Sequence, residues 1–145
     1  MLRGNSPAKV DGKGRLKIPA AYLGELREIG DEFYVTSEDG NSAKVYPMKV
    51  WVEKEKKLEK ISGHNAAKRK FLTRTNYYGA VVKMDKQGRL LIPPVLRDAA
   101  QIAGDVDVLG YQNYLEVWNH MRFQDHLRKS EITEDDSKAL ADLDI

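Results

Sequence analysis

Asp11, Gly14 and Arg15 form a compact trio, and Asp85, Gly88 and Arg89 repeat it at the same spacing 74 positions later. An aspartate at a turn accepts hydrogen bonds from backbone N–H groups two or more residues on. The glycine permits a tight reversal. The arginine then leaves the turn carrying a planar fork of donors suited to phosphate, or to the O6 and N7 edge of guanine. Lys13 and Lys17 in the first copy, and Lys86 in the second, add point charges for a phosphate backbone. Candidate nucleic-acid contacts are therefore Lys13, Arg15, Lys17, Lys86 and Arg89, with Asp11, Gly14, Asp85 and Gly88 as loop supports. Taken singly, either motif reads as a structural turn in which the aspartate merely pairs with the arginine four residues on. Repetition of the same Asp and Arg amid clustered cations favours a contact site.

The repetition extends beyond the loops. Asp11-Gly-Lys-Gly-Arg-Leu-Lys-Ile-Pro19 returns as Asp85-Lys-Gln-Gly-Arg-Leu-Leu-Ile-Pro93, and Val45-Tyr46-Pro47 with Trp51 returns as Val117-Trp118-Asn119 with Phe123 at an offset of 72. Two single-residue steps, or one of two, reconcile the offsets. Each half reads as the same series: a hairpin turning at residues 12–14 or 86–88, a helix opened by Pro19 or Pro93, two strands, and a further helix. The apolar stripe Tyr22, Leu23, Leu26 and Ile29 stops at Gly30; its counterpart places Val95, Leu96, Ala99 and Ala100 inward and ends near Gly104. Strands are expected over 32–37 and 43–46, and in the second half over 77–84, 106–109 and 114–118. Met48, Trp51, Val52, Leu58 and Ile61 mark one helix face, with Glu53 and Lys57 paired on its surface. Asn65 caps a short basic helix in the connection, and Met121 to Leu127 begins a last one. Trp51, Trp118, Phe123 and Tyr22 fall on apolar stripes and read as core or interface packing.

This pattern predicts an α+β architecture in which two pseudo-symmetric repeats, neither able to fold alone, interleave into one small β-barrel flanked by helices. The expected organisation is a first repeat over 1–61, a linker over 62–76, a second repeat over 77–129 and an acidic tail over 130–145.

A chain of 145 residues that is 41% hydrophobic and 32% charged can bury one core while showing much polar surface. It contains no cysteine, which excludes disulfides, thiolate metal sites and a cysteine nucleophile. No apolar run is long enough to span a bilayer, and the start lacks a signal-peptide stretch; a cytoplasmic, nucleoid-associated protein is expected. The net charge of +2 hides a strong segregation. Residues 1–20 hold five Lys and Arg against Asp11, and residues 68–97 hold eight against Asp85. Residues 131–145 hold six carboxylates against Lys138. Basic charge thus gathers around both motif copies, the footprint of a polyanion partner.

The two motifs, the Met-Leu-Arg-Gly start, Val45-Tyr46-Pro47 with Trp51, Lys70-Phe71 and Val117-Trp118 closely resemble those of MraZ proteins, bacterial transcriptional regulators. The resemblance covers nearly the whole chain. It implies a swapped-hairpin SpoVT/AbrB-type fold with two copies in one chain. It also implies a ring-shaped homo-oligomer and binding to short, G-rich direct repeats of double-stranded DNA upstream of the division and cell-wall gene cluster. Carried over by position, the contacting motif residues are Asp11, Lys13 and Arg15, then Asp85 and Arg89. Gly12 and the segment Ala8-Lys9-Val10 depart from the usual pattern around the first loop.

Other classes fare worse. His64, His120 and His126 are too scattered for a metal set, no nucleophile elbow or phosphate-binding glycine loop is present, and Asp39, Asp105 and Asp107 read as solvated turn or strand-end carboxylates. No enzyme activity, metal, cofactor, small-molecule substrate or membrane partner is expected. An antitoxin-like DNA binder would carry one motif rather than two; a purely structural ring would need no basic loops.

Overall fold

The computed structural model describes residues 1–145 as eight strands and six helices. The first half runs β1 (Asn5–Val10), β2 (Arg15–Lys17), α1 (Ala20–Ile29), β3 (Glu32–Thr36), β4 (Ala43–Pro47) and α2 (Met48–Glu59). Helix α3 (Ala66–Tyr77) connects the halves. The second half repeats the order as β5 (Ala80–Lys83), β6 (Arg89–Leu91), α4 (Pro94–Ala99), β7 (Gly104–Tyr111), β8 (Tyr114–Asn119) and α5 (His120–Lys129), and α6 (Glu134–Asp142) follows. Helices α1, α2 and α4 each start directly after a proline with φ near −55° and extended ψ, which turns the chain from strand to helix without a side-chain cap. Asn119 does the same work for α5 with its side chain, which accepts from the Arg122 N–H at 3.0 Å.

One antiparallel sheet orders the strands β5-β3-β4-β8-β7-β1-β2-β6. Within it β1 pairs with β7, β3 with β5, β2 with β6 and β4 with β8, so strands of the two halves meet at four places. Neither half owns a sheet of its own. The end strands β5 and β6 are consecutive in the chain and come together where the Asp85 N–H donates to the Arg89 carbonyl at 3.0 Å, so the sheet curls into a nearly closed barrel. The pairings also resolve the drift between repeats. Ala8 and Val82, which face Val106 and Phe33, lie 74 apart; Phe33 and Val106 lie 73 apart; their partners Pro47 and Asn119 lie 72 apart. Two single-residue steps, one before and one after the strand β3 or β7, account for it.

The barrel interior is a continuous cluster drawn from both halves, including Leu16, Leu26, Phe33, Val45, Leu90, Leu96, Val106 and Val117, all at or near zero exposure. Burying each such side chain contributes about 1.5–3 kcal/mol. Tyr22, Trp51, Trp118 and Phe123 are buried in packing, as the stripes predict. Trp51 stacks on Tyr34 at 4.6 Å and reaches Phe71 of α3 at 6.2 Å. The Thr36 hydroxyl and the Tyr34 phenol both donate to the Thr75 carbonyl, at 2.6 and 3.0 Å, and tie α3 to the sheet.

Several local expectations change. The strand expected from Tyr77 starts only at Ala80, because the capped helix α3 runs through Tyr77, which is exposed. In α4 only Leu96 and the following Ala100 are buried; Val95 and Ala99 face outward because the helix is a turn and a half long. Glu53 pairs with Lys56 at 3.1 Å rather than with Lys57, and α2 ends before Ile61, which is exposed. Asp107 is not a solvated strand-end group. It is buried in mid-β7, where Asn5 donates to it at 3.2 Å and His120 Nδ1 lies 2.7 Å away. No helix is long and apolar enough to cross a membrane, and no cluster of three or more His, Asp or Glu side chains is arranged to hold a metal ion.

Candidate nucleic-acid interface

Each loop is a small knot of hydrogen bonds centred on its aspartate. In the first, Asp11 Oδ1 accepts from the backbone N–H groups of Lys13 and Arg15, both at 3.0 Å, and Oδ2 accepts from Arg15 Nε at 2.8 Å. In the second, Asp85 Oδ1 accepts from the N–H groups of Gln87 and Arg89 at 2.9 Å, and Oδ2 accepts from Arg89 Nε at 2.8 Å. The Gly14 and Gly88 N–H groups return to the Asp11 and Asp85 carbonyls at 2.9 and 3.1 Å. Both glycines take left-handed φ, +82° and +76°, which strains any residue with a Cβ. The arginine backbone N–H, opposed in part by desolvation and helped by the guanidinium and the neighbouring N–H, holds each carboxyl below its ordinary pKa.

The aspartate and arginine of each copy do therefore pair, and the pairing fixes the arginine rather than occupying it. Only Nε is engaged; the two terminal nitrogens of Arg15 and Arg89 donate to nothing within the chain. Both side chains remain about a third exposed. Lys13, Lys17 and Lys86 are exposed, and no carboxylate engages them.

Strands β2 and β6 bring the two loops together. Their register sets Arg15 opposite Leu91, Leu16 opposite Leu90 and Lys17 opposite Arg89. The Ile18 N–H donates to the Gly88 carbonyl and the Ile92 N–H to the Gly14 carbonyl, both at 2.9 Å, so each loop is stitched to the other half's strand. Side chains alternate across a strand. Leu16 and Leu90 point into the core with zero exposure, and Arg15, Lys17, Arg89 and Leu91 share the outer face. Arg15 and Arg89 occupy diagonal positions of this ladder, a relation that sets neighbours about 7–8 Å apart. Three cations and one leucine thus stand on a two-stranded ribbon with a basic loop at each end.

Sequence reasoning missed the residues that brace the loops. Arg97 of α4 lies against Gly14, where a Cβ would run into its guanidinium, and Leu23 of α1 lies against Gly88, 3.1 Å from where a Cβ would be. Arg27 of α1 donates to the Lys86 carbonyl at 3.3 Å. Each half's first helix therefore supports the other half's loop. Arg97 falls within the basic segment, but nothing local in the sequence joins it to a residue 83 positions earlier.

Two loops of the same Asp-x-x-Gly-Arg pattern, set on one swapped-hairpin barrel, define a double SpoVT/AbrB-type fold. The chain matches the family described as "MraZ protein, putative antitoxin-like" over residues 1–74 and 79–143, once for each repeat. It is 49% identical to the transcriptional regulator MraZ of Acidobacterium capsulatum across 98% of both chains. It is 44% identical to that of Koribacter versatilis over the full length of both, and 36% identical to that of Moorella thermoacetica over 98% of this chain and 95% of the relative. The chain belongs to the MraZ family.

Proposed function

We propose that this protein is a transcriptional regulator that binds double-stranded DNA through the β2/β6 ribbon and its two loops. The observation that carries this reading is the partly exposed pair Arg15 and Arg89, each clamped at Nε by its own aspartate with its terminal nitrogens free. A major groove about 12 Å wide admits a two-stranded ribbon. Arginines about 7–8 Å apart match guanines roughly two base-pair steps apart at 3.4 Å per step. Because the clamp is made in the free protein, little side-chain entropy is lost on contact. Lys13, Lys17 and Lys86 neutralise phosphates on either side, and Asp11, Gly14, Asp85 and Gly88 hold the loop shape.

A single ribbon offers few contacts. We infer that several copies act together as a ring on short G-rich direct repeats spaced about 10 bp apart, so that the repeats face one side of the duplex and affinity arises by avidity. The promoter of the division and cell-wall gene cluster is the expected target, and the protein is expected to be cytoplasmic and nucleoid-associated. The test compares the protein with an Arg15→Ala/Arg89→Ala variant on its own upstream DNA and on shuffled DNA, at two salt concentrations, after sizing both by light scattering. Sequence-preferring, salt-sensitive binding that disappears in a variant of unchanged size is expected. An unaffected variant would show that the arginines only shape the turns.

A further inference from the structure

Helix α6 is specified by its own ends and covered by nothing. Its Thr133 hydroxyl accepts from the Asp136 N–H at 3.1 Å while the Asp136 carboxylate accepts from the Thr133 N–H at 2.9 Å, a complete capping box. Yet every residue from Ser130 to Ile145 is exposed, including Ile132, Leu140, Leu143 and Ile145. A nine-residue helix is marginal in water without tertiary support, so this one calls for an apolar partner its own chain does not supply. The segment is also strongly acidic, with six carboxylates against Lys138.

The opposite chemistry lies between α2 and α3. Leu58, Ile61 and Phe71 line a shallow hollow together with Lys54 and Lys57. Ile61 is exposed, Leu58 and Phe71 are half-buried, and residues 54–74 carry eight Lys and Arg against Glu55 and Glu59. An apolar slot rimmed with lysines fits an amphipathic acidic helix, apolar face inward and carboxylates on the rim.

We propose that α6 of one copy docks into the α2/α3 hollow of a second copy of this chain, with Leu140 and Leu143 in the slot and Asp142 and Asp144 against Lys54 and Lys57. The docking rests on the assembly of copies inferred above and supplies its joint. The two surfaces are different, so the contact is head-to-tail: such contacts close into rings when the rotation between copies permits and run on as filaments when it does not. The joint lies on residues other than the β2/β6 ribbon, which stays free for DNA.

The test uses full-length chains altered only at exposed or half-exposed positions, sized by light scattering across a concentration series. A tail variant, Leu140→Asp/Leu143→Asp, and a groove variant, Lys57→Glu/Ile61→Asp, should each weaken self-association by about tenfold or more. Mixed together they should form a complex of two chains, because each still carries the surface the other lacks. The charge exchange Lys54→Glu/Lys57→Glu with Asp142→Lys/Asp144→Lys should recover assembly that either half of the exchange loses. Oligomers unchanged by all of these would overturn the docking and leave the assembly standing on another joint. A monomeric unaltered chain would overturn both.

Discussion

Gly14 of the first loop lies under the Arg97 guanidinium, whereas Gly88 of the second lies under the Leu23 side chain. Within the loops the hydrogen bonds agree to about 0.1–0.2 Å, from the aspartate oxygens to the glycine N–H. The surroundings do not agree. On the shared ribbon face Arg89 stands opposite Lys17, and Arg15 stands opposite Leu91. The second loop has Lys86 where the first has Gly12, and Arg27 braces it through the Lys86 carbonyl. Duplication has kept the bonds that shape the arginine and let the charges around it diverge. Shape is the shared part; field strength is the part that differs.

The largest effects should come from the shared part. Arg15→Ala and Arg89→Ala should each weaken specific DNA binding by about 1–3 kcal/mol and relax preference at one base position apiece. Affinity and a base-substitution series for each single variant would check this. Losses equal within about twofold would mean that recognition uses the symmetric skeleton. A loss confined to one variant would mean that only one loop reads bases and the other serves as an anchor.

A smaller effect isolates the field. Lys17 and Leu91 are equivalent positions, both exposed on the ribbon face proposed to meet DNA. Lys17→Leu should lower the number of released counterions by about one, and Leu91→Lys should raise it by about one. Slopes of log affinity against log salt for the two variants and their double exchange would measure it. The exchange should restore the original slope while moving the more basic end from the second loop to the first. A slope indifferent to both changes would place this face away from the phosphates.

The repeat makes most of this architecture legible in the sequence. A motif offset that drifts from 74 to 72 implies two homologous halves, and the short strands in each imply that they must share a sheet. The loop residues followed from the special backbone chemistry of Asp and Gly. What stayed hidden depends on contacts between distant residues. Arg97 and Leu23 reach loops in the opposite half because the hairpins are swapped, and no local pattern encodes that exchange. Asp107 reads as a surface carboxylate because its partners, Asn5 and His120, come from a paired strand and a following helix. The extension of α3 over Tyr77 was missed because two tyrosines before a glycine favour a strand locally. The Asn65 cap and the Thr75 bonds to β3 decided otherwise.

The smallest difference between the loops should be in their response to acid, and that is its use. Both Asp11 and Asp85 are held below the ordinary 3.8, first by the arginine backbone N–H in each case. An acid depressed in the folded state stabilises its loop above the unfolded pKa and loses that contribution as pH falls through the folded value. The loops should therefore be indifferent to pH from 8 down to about 5 and open together only below 3.8. No histidine sits in either loop to add a transition near neutrality. The Nε–H resonances of Arg15 and Arg89, followed by NMR during an acid titration, report the two clamps separately. One shared midpoint would show that the clamp is set by its own five residues. Two separated midpoints would show that the neighbouring charge reaches into the clamp, with the second loop, beside Lys17, Arg27 and Lys86, holding on to the lower pH.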